Sequence, residues 1–278
     1  MRLEQFYKAK LAEVESLRRA AEQGFLPEIC SEPRPDFSDA LRRPQHGCPL
    51  AIVAEYKRAS PSHGVICEKI SVEEAARQYA AAGAAALSVL TEEMYFHGNM
   101  DFLKRAATVQ NDLVKPLPLL RKDFIFDLLQ VRATAATPAS AVLIIVKLTP
   151  DVRFLRQLRE EAENFGMHAV VEVFDMEDLR CARESGARII QVNARNLDTL
   201  QVDRISCCKL AEENTPMDNE LWIAASGISR AEHLVQAAGA GYNAALIGSA
   251  LMRQGRPGVA LRAILQIDSP TRRNKHAD

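Results

Sequence analysis

Eight short apolar runs, spread between residues 49 and 248, constrain this chain more than any other feature. They read PLAIVAEYK (49–57), AALSVLT (85–91), PLPLLRK (116–122), SAVLIIVK (140–147), HAVVEVF (168–174), ARIIQVN (187–193), LWIAAS (221–226) and NAALIG (243–248). Between them stand stretches rich in Ala, Leu, Glu and Arg, such as SVEEAARQYAAAGA, DMEDLRCARESGA and SRAEHLVQAAGAG. A Gly at or near the end of each suits a helix C-terminus. Regular alternation of strand and helix predicts parallel βαβ units. Eight such units predict an α/β fold closed as a (β/α)8 TIM barrel. An open doubly wound sheet is the competitor, but it announces its nucleotide site by G-x-G-x-x-G after the first strand, and here that turn reads RASPSHG.

The chain has 278 residues and 47% apolar side chains, enough for one large core. Residues 49–268 are expected to form the barrel. Residues 1–48 are too few and too polar for a core of their own and are expected to lie as a helix and loop against the barrel rim. Within them Leu3, Phe6, Leu11, Val14 and Leu17 recur at roughly helical spacing among acids and bases, which is an amphipathic helix and not a signal peptide. The last ten residues, SPTRRNKHAD (269–278), form a polar tail. No window holds the roughly 18 apolar residues a membrane span requires.

Charge narrows the partners. Lys plus Arg total 35 against 36 Asp plus Glu, so no global field favours nucleic acid or an anionic membrane, and an anionic ligand must be captured locally. Six scattered cysteines read as free thiols of a reducing compartment, so the expected location is the cytoplasm. No histidine has metal-ligand spacing with another, so no metal is assigned.

Chemistry gathers at the strand ends. Side chains alternate along a strand, so Ala51, Val53, Glu55 and Lys57 share one face. If that face looks inward, the charged pair emerges at the C-terminal rim, where barrels of this kind carry their active sites. The same reading puts Lys122 at the end of the third run, Glu172 toward the end of the fifth, and Asn193 with Arg195 at the end of the sixth. One isolated ion pair would read as a solvated surface pair. Four strand ends contributing charges to one rim read as a site, because burying ions without pairing or a ligand is expensive. In the last quarter ASGIS (225–229) and IGSALM (247–252) each place a Gly at a turn into a helix, where exposed N–H groups attract anions.

In these residues the chain resembles the indole-3-glycerol phosphate synthase family of tryptophan biosynthesis. The resemblance rests on IVAEYKRASPSHG, LSVLTEEMYFHGNMDFL, LLRKDFIFDLLQV, VVEVFDMEDL, VNARNLDTLQVD, SGIS and LIGSALM, in order from residue 52 to 252. It implies a lyase that closes 1-(2-carboxyphenylamino)-1-deoxyribulose 5-phosphate to an indole, losing carbon dioxide and water without a cofactor. By that resemblance Lys122 is the general acid of ring closure and Glu172 the base of dehydration. Lys57 pairs with the substrate carboxylate and is also open as an acid, the division between the two lysines being left undecided; Glu55 orients the lysines, and Asn193 bonds the sugar hydroxyls or Glu172, with Arg195 in support. Ser60, Ser226, Gly227, Gly248 and Ser249 resemble phosphate ligands, and Phe96 and Phe124 could pack the aryl ring. The partner implied is a phosphorylated small molecule, and association with other tryptophan-pathway enzymes stays open.

Three positions depart from the family's pattern. Ala225 stands where Glu usually precedes Ser-Gly, Ala194 where Asn is common, and Phe174 where His often follows the fifth-strand glutamate. Loss of a carboxylate at 225 changes the electrostatic balance around the lysines. Two alternatives therefore stay open: a related phosphate-binding barrel acting on a different phosphorylated amino sugar, and a catalytically silent metabolite-binding relative. Lys147, at the end of the fourth run, reads as a solvated strand end.

Overall fold

A computed structural model describes residues 2–266 of the chain. Eight parallel strands close into a barrel: β1 (Ala51–Tyr56), β2 (Ala86–Leu90), β3 (Leu119–Lys122), β4 (Ala141–Ile145), β5 (His168–Val173), β6 (Ile189–Asn193), β7 (Leu221–Ala225) and β8 (Ala244–Ile247). Each strand pairs with its sequence neighbours, and β1 pairs with β8 in the register Ala51↔Ala244 to complete the ring. The strands are shorter than the apolar runs. β3 begins only at Leu119 because Pro116 and Pro118 have no N–H to give a ladder. β4 stops at Ile145, and Lys147 lies beyond it in a 3₁₀ turn, Val146–Leu148, not on a strand.

The helices are α1 (Arg2–Glu22), α2 (Phe37–Leu41), α3 (Val72–Ala81), α4 (Asp101–Thr108), α5 (Leu128–Ala135), α6 (Val152–Asn164), α7 (Met176–Ser185), α8 (Arg204–Glu213), α9 (Ala231–Gly239), α10 (Ser249–Met252) and α11 (Pro257–Leu265). Polar side chains start several of them. Ser71, Asp127, Asp151, Asp175 and Asp203 each accept a hydrogen bond from a first-turn N–H, satisfying a donor the helix cannot. Two elements have no counterpart in the sequence reading: the short α2, and a small antiparallel hairpin pairing Ala59–Ser60 with Gly64–Val65.

Alternation along the strands separates two layers of core. Ala51, Val53, Leu120, Leu143, Val170, Ile223 and Leu246 fill the barrel interior, while Ile52, Leu87, Leu119, Val142, Val171 and Ile190 pack outward against the helices. The N-terminal segment serves both ends of the interior. Phe37 and Leu41 of α2 are fully buried beside Ala51 and Ala85, where the strands begin. From α1, Phe6, Lys10 and Val14 are all buried, one turn apart, and Phe6 reaches the opposite mouth. The tail at 269–278 and His276 lie outside the described residues. No helix among those described is long and apolar enough to cross a membrane.

Candidate active site

The alternation that builds the interior also delivers the charges. Glu55 on β1, Lys122 on β3, Glu172 on β5 and Asn193 on β6 follow the inward apolar residues of their strands, and Lys57 stands one residue past the end of β1. All five line a single cleft at the C-terminal mouth. Two ion pairs organise it. Lys57 Nζ lies 2.5 Å from Glu55 Oε1, and Lys122 Nζ lies 3.3 Å from Glu172 Oε2. In both pairs the carboxylate is almost wholly buried and the ammonium is part-exposed, at 18% for Lys57 and 17% for Lys122. The cleft therefore offers cations toward its opening, with their counter-charges beneath. Ser88 adds a 3.3 Å hydrogen bond to Glu55 Oε2 from the adjacent strand.

One wall is aromatic, and its loops are built to hold it. Glu92 is buried just after β2 and accepts backbone N–H bonds from Met94, Tyr95 and Phe96 at 2.9, 2.8 and 3.1 Å, which folds the TEEMYF loop and presents Phe96 to the cleft. Asp123 accepts the Phe124 N–H at 2.8 Å. Its other oxygen takes Lys10 at 3.0 Å, Arg121 at 2.9 Å and the Thr91 hydroxyl at 2.5 Å. Burial works against the Asp123 carboxylate, but Arg121 and Lys10, with the Thr91 bond, outweigh it and hold its pKa down at about 2. Phe6 stacks on Phe124 with ring centroids 4.3 Å apart, and Phe96 lies 6.1 Å from both rings. In the sequence Phe6 is one of several apolar residues at helical spacing. Its place in the wall follows from contacts with Phe96 and Phe124, far along the chain.

The opposite side of the mouth collects small and basic residues. Ser60, Ser226, Ser249 and Arg195 line the cleft, and Gly227 and Gly248 line a recess continuous with it. A side chain at Gly248 would run into the Glu55 carboxylate, so glycine is needed for the chain to pass there. Ser226 and Gly227 both hold positive φ, at 72° and 76°, and for a serine that is a strained conformation of the kind found at binding sites. Two further residues of this recess, His63 and Arg253, escaped the sequence reading. Arg253 donates to His63 Nε2 at 2.8 Å, which leaves Nδ1 to donate to Ser62 Oγ at 2.8 Å. Burial and the nearby Arg253, Arg195 and Lys57 lower the His63 pKa, keeping the imidazole neutral. Burial likewise pulls the Arg195 pKa down, with Glu55 opposing, while Arg195 donates to the Leu200 carbonyl at 2.9 Å.

Two expectations need correction. Asn193 does not bond Glu172: its Oδ1 accepts the Ser226 hydroxyl at 2.8 Å and the Arg195 N–H at 3.0 Å, tying β6 to the Ser-Gly turn. The partner of Glu172 is Gln191, whose Nε2 donates to Glu172 Oε2 from the facing strand. Gln191 could have been found by asking which residues alternate inward with Asn193. Lys147 is not simply solvated either. It pairs with Asp175 at 2.8 Å and lies 5.3 Å over the Phe174 ring, outside the cleft. Ala225 is buried at the end of β7, opposite Asn193, and lines the cleft. Among the described residues, no three His, Cys, Asp or Glu side chains are grouped to hold a metal ion.

Comparison with known proteins gives this site its context. The family model for indole-3-glycerol phosphate synthase matches residues 3–264. The chain belongs to the indole-3-glycerol phosphate synthase family. An indole-3-glycerol phosphate synthase of Koribacter versatilis is 41% identical over 230 residues, covering 82% of this chain and 85% of that protein. Another, from Chloroherpeton thalassium, is 39% identical over 260 residues, covering 91% and 95%. Among solved structures, a 3-hexulose-6-phosphate synthase superposes with a TM-score of 0.61 over 77% of this chain and 97% of its own, at 13% identity, a likeness of fold alone. Every stretch that carried the resemblance to indole-3-glycerol phosphate synthase lies within the matched residues.

Proposed function

We propose that this chain carries its family's activity, closing 1-(2-carboxyphenylamino)-1-deoxyribulose 5-phosphate to indole-3-glycerol phosphate in tryptophan biosynthesis. Lys122 protonates the ketone oxygen while the carboxyl-bearing aromatic carbon attacks the ketone carbon and the new carbon–carbon bond forms. The carboxylate then leaves as carbon dioxide and returns its electron pair to the ring. Glu172 then takes a proton from the carbon beside the nitrogen as the new hydroxyl, protonated by Lys57 once the carboxylate has left, departs as water. The observation that carries this assignment is the Lys122–Glu172 pair itself: a proton donor and a proton acceptor 3.3 Å apart beneath one cleft.

Binding divides along the same mouth. Lys57, oriented by Glu55, receives the aryl carboxylate. Phe96, Phe124 and Phe6 pack the ring. The phosphate sits among Ser60, Ser226, Gly227, Gly248 and Ser249, in a recess whose positive charge comes from Arg253 and Arg195. Asn193 holds the Ser226 turn in place for it.

Purified protein incubated with the carboxyphenylamino substrate should generate indole fluorescence. Glu172→Gln should bind the substrate as the unsubstituted chain does while turnover falls by at least about 10²-fold, because the amide is nearly isosteric but takes no proton. Undiminished turnover in that variant removes Glu172 from the mechanism. Binding without turnover by the unsubstituted chain leaves it a silent relative.

A further inference from the structure

Gln191 has no role in the reaction as derived above. It projects inward from the middle of β6, is fully buried and lines the cleft. Its Nε2 donates to Glu172 Oε2, the same oxygen that receives Lys122 Nζ. Its Oε1 is buried and has no hydrogen-bond partner. A core position with no polar task would be filled at less cost by Leu or Met, since an unpaired buried carbonyl is penalised.

The chemistry of the two groups fixes which way the amide faces. An ionised carboxylate only accepts, so the NH₂ end must meet Glu172 and the carbonyl must point elsewhere. That leaves the carbonyl as an unpaired acceptor on a residue that lines the cleft, on the strand next to β7 and its apolar Ala225. Between its aryl ring and its phosphate, the substrate carries an N–H and several hydroxyls, all hydrogen-bond donors.

We infer that Gln191 is a positioning residue that couples Glu172 to the substrate: its amide nitrogen holds the carboxylate beside Lys122, and its amide oxygen accepts a hydrogen bond from the N–H or a hydroxyl of the chain joining ring to phosphate. The coupling deepens the reading of Glu172 as the base and rests on it. It brings the carboxylate and the part of the substrate that loses its proton into one hydrogen-bonded array. Glu172 also shares the cleft with Glu55, Lys57, Lys122, Asp123 and Arg195, and of these Lys122 is the one paired with it.

Two substitutions separate the halves of the coupling. Gln191→Met keeps the length and removes both bonds: KM should rise about tenfold and kcat should fall by about tenfold or more. Gln191→Glu retains an acceptor for the substrate but sets two carboxylates face to face. Its kcat should fall at least as far, with KM much closer to that of the unsubstituted enzyme. A Gln191→Met enzyme with unchanged KM and kcat overturns the inference.

Because a buried substitution can unfold the chain, the unsubstituted protein supplies a second readout. The side-chain amide resonances of Gln191 should shift when indole-3-glycerol phosphate is added and stay in place when inorganic phosphate is added. Equal response to both, or to neither, sinks the inference. This readout concerns Gln191 alone, so it distinguishes failure of the coupling from failure of Glu172 as the base, which the Glu172→Gln variant reports.

Discussion

In the mechanism proposed above the chemistry turns on Lys122, and its surroundings suit a lysine in that role. Its stem rises from the last position of β3, and Glu172 meets its ammonium at the cleft floor. Replacing it by Ala should lower kcat by about 10²- to 10⁴-fold, the usual worth of a positioned general acid, while KM changes by much less, since Lys57 and the serine-glycine turns still grip the anionic ends. Steady-state kinetics with the carboxyphenylamino substrate checks the split. At this scale the sequence was informative wherever alternation alone decided a direction, as for Glu55, Lys122, Glu172 and Asn193. It was uninformative where the decision lay with a partner. Nothing local to ARIIQVN says that the glutamine, and not the asparagine, meets Glu172, because that depends on how β5 and β6 are staggered.

Among the elements, α1 departs furthest from what its sequence pattern suggests. Roughly helical spacing of Leu3, Phe6, Leu11, Val14 and Leu17 predicts an amphipathic helix, yet the residues that become fully buried are Phe6, Lys10 and Val14, and Leu11 stays exposed. Lys10 is tolerated there because Asp123 and Glu13 receive it. Pattern reading cannot anticipate a buried cation whose counter-charge is 113 residues distant. The Phe6 ring belongs both to the packing of α1 and to the cleft wall. Phe6→Ala should therefore weaken substrate binding, raising KM several-fold with kcat less affected, and should destabilise the fold by about 3 kcal/mol. Kinetics paired with denaturant unfolding tests both parts, and an unchanged KM would remove Phe6 from the wall.

At the scale of the whole molecule, the barrel was legible because eight runs of similar length, separated by helix-forming stretches, leave few other ways to bury so much apolar surface. Less legible was the ionic knot outside the barrel wall, where Arg121 is fully buried and binds Asp123, Glu13, Thr91, Thr134 and the Gln130 carbonyl. It joins α1, β3, α5 and the loop after β2, so its protonation is felt by all of them. The Asp123 pKa lies near 2, below the ordinary 3.8. A depressed carboxylate pKa stabilises the fold above the ordinary value, and that contribution disappears as pH falls through the native one. Unfolding free energy should thus drop by about 2 kcal/mol between pH 4 and pH 2 on this account. Asp123→Asn should flatten that dependence while costing about 3 kcal/mol at neutral pH, because Arg121 and Lys10 lose their shared anion. Denaturant titrations across the acid range measure both effects.

The ring of strands closes only through β1 and β8, and α1 rests on the rim formed by β3 and its neighbours. During synthesis residues 2–22 leave the ribosome before any surface they will cover exists. Phe6 and Lys10 must wait in water until the third strand has been made, and the first strand waits for the eighth. The complete mouth is therefore among the last features to mature, so a nascent chain holds Lys122 well before it holds a finished pocket.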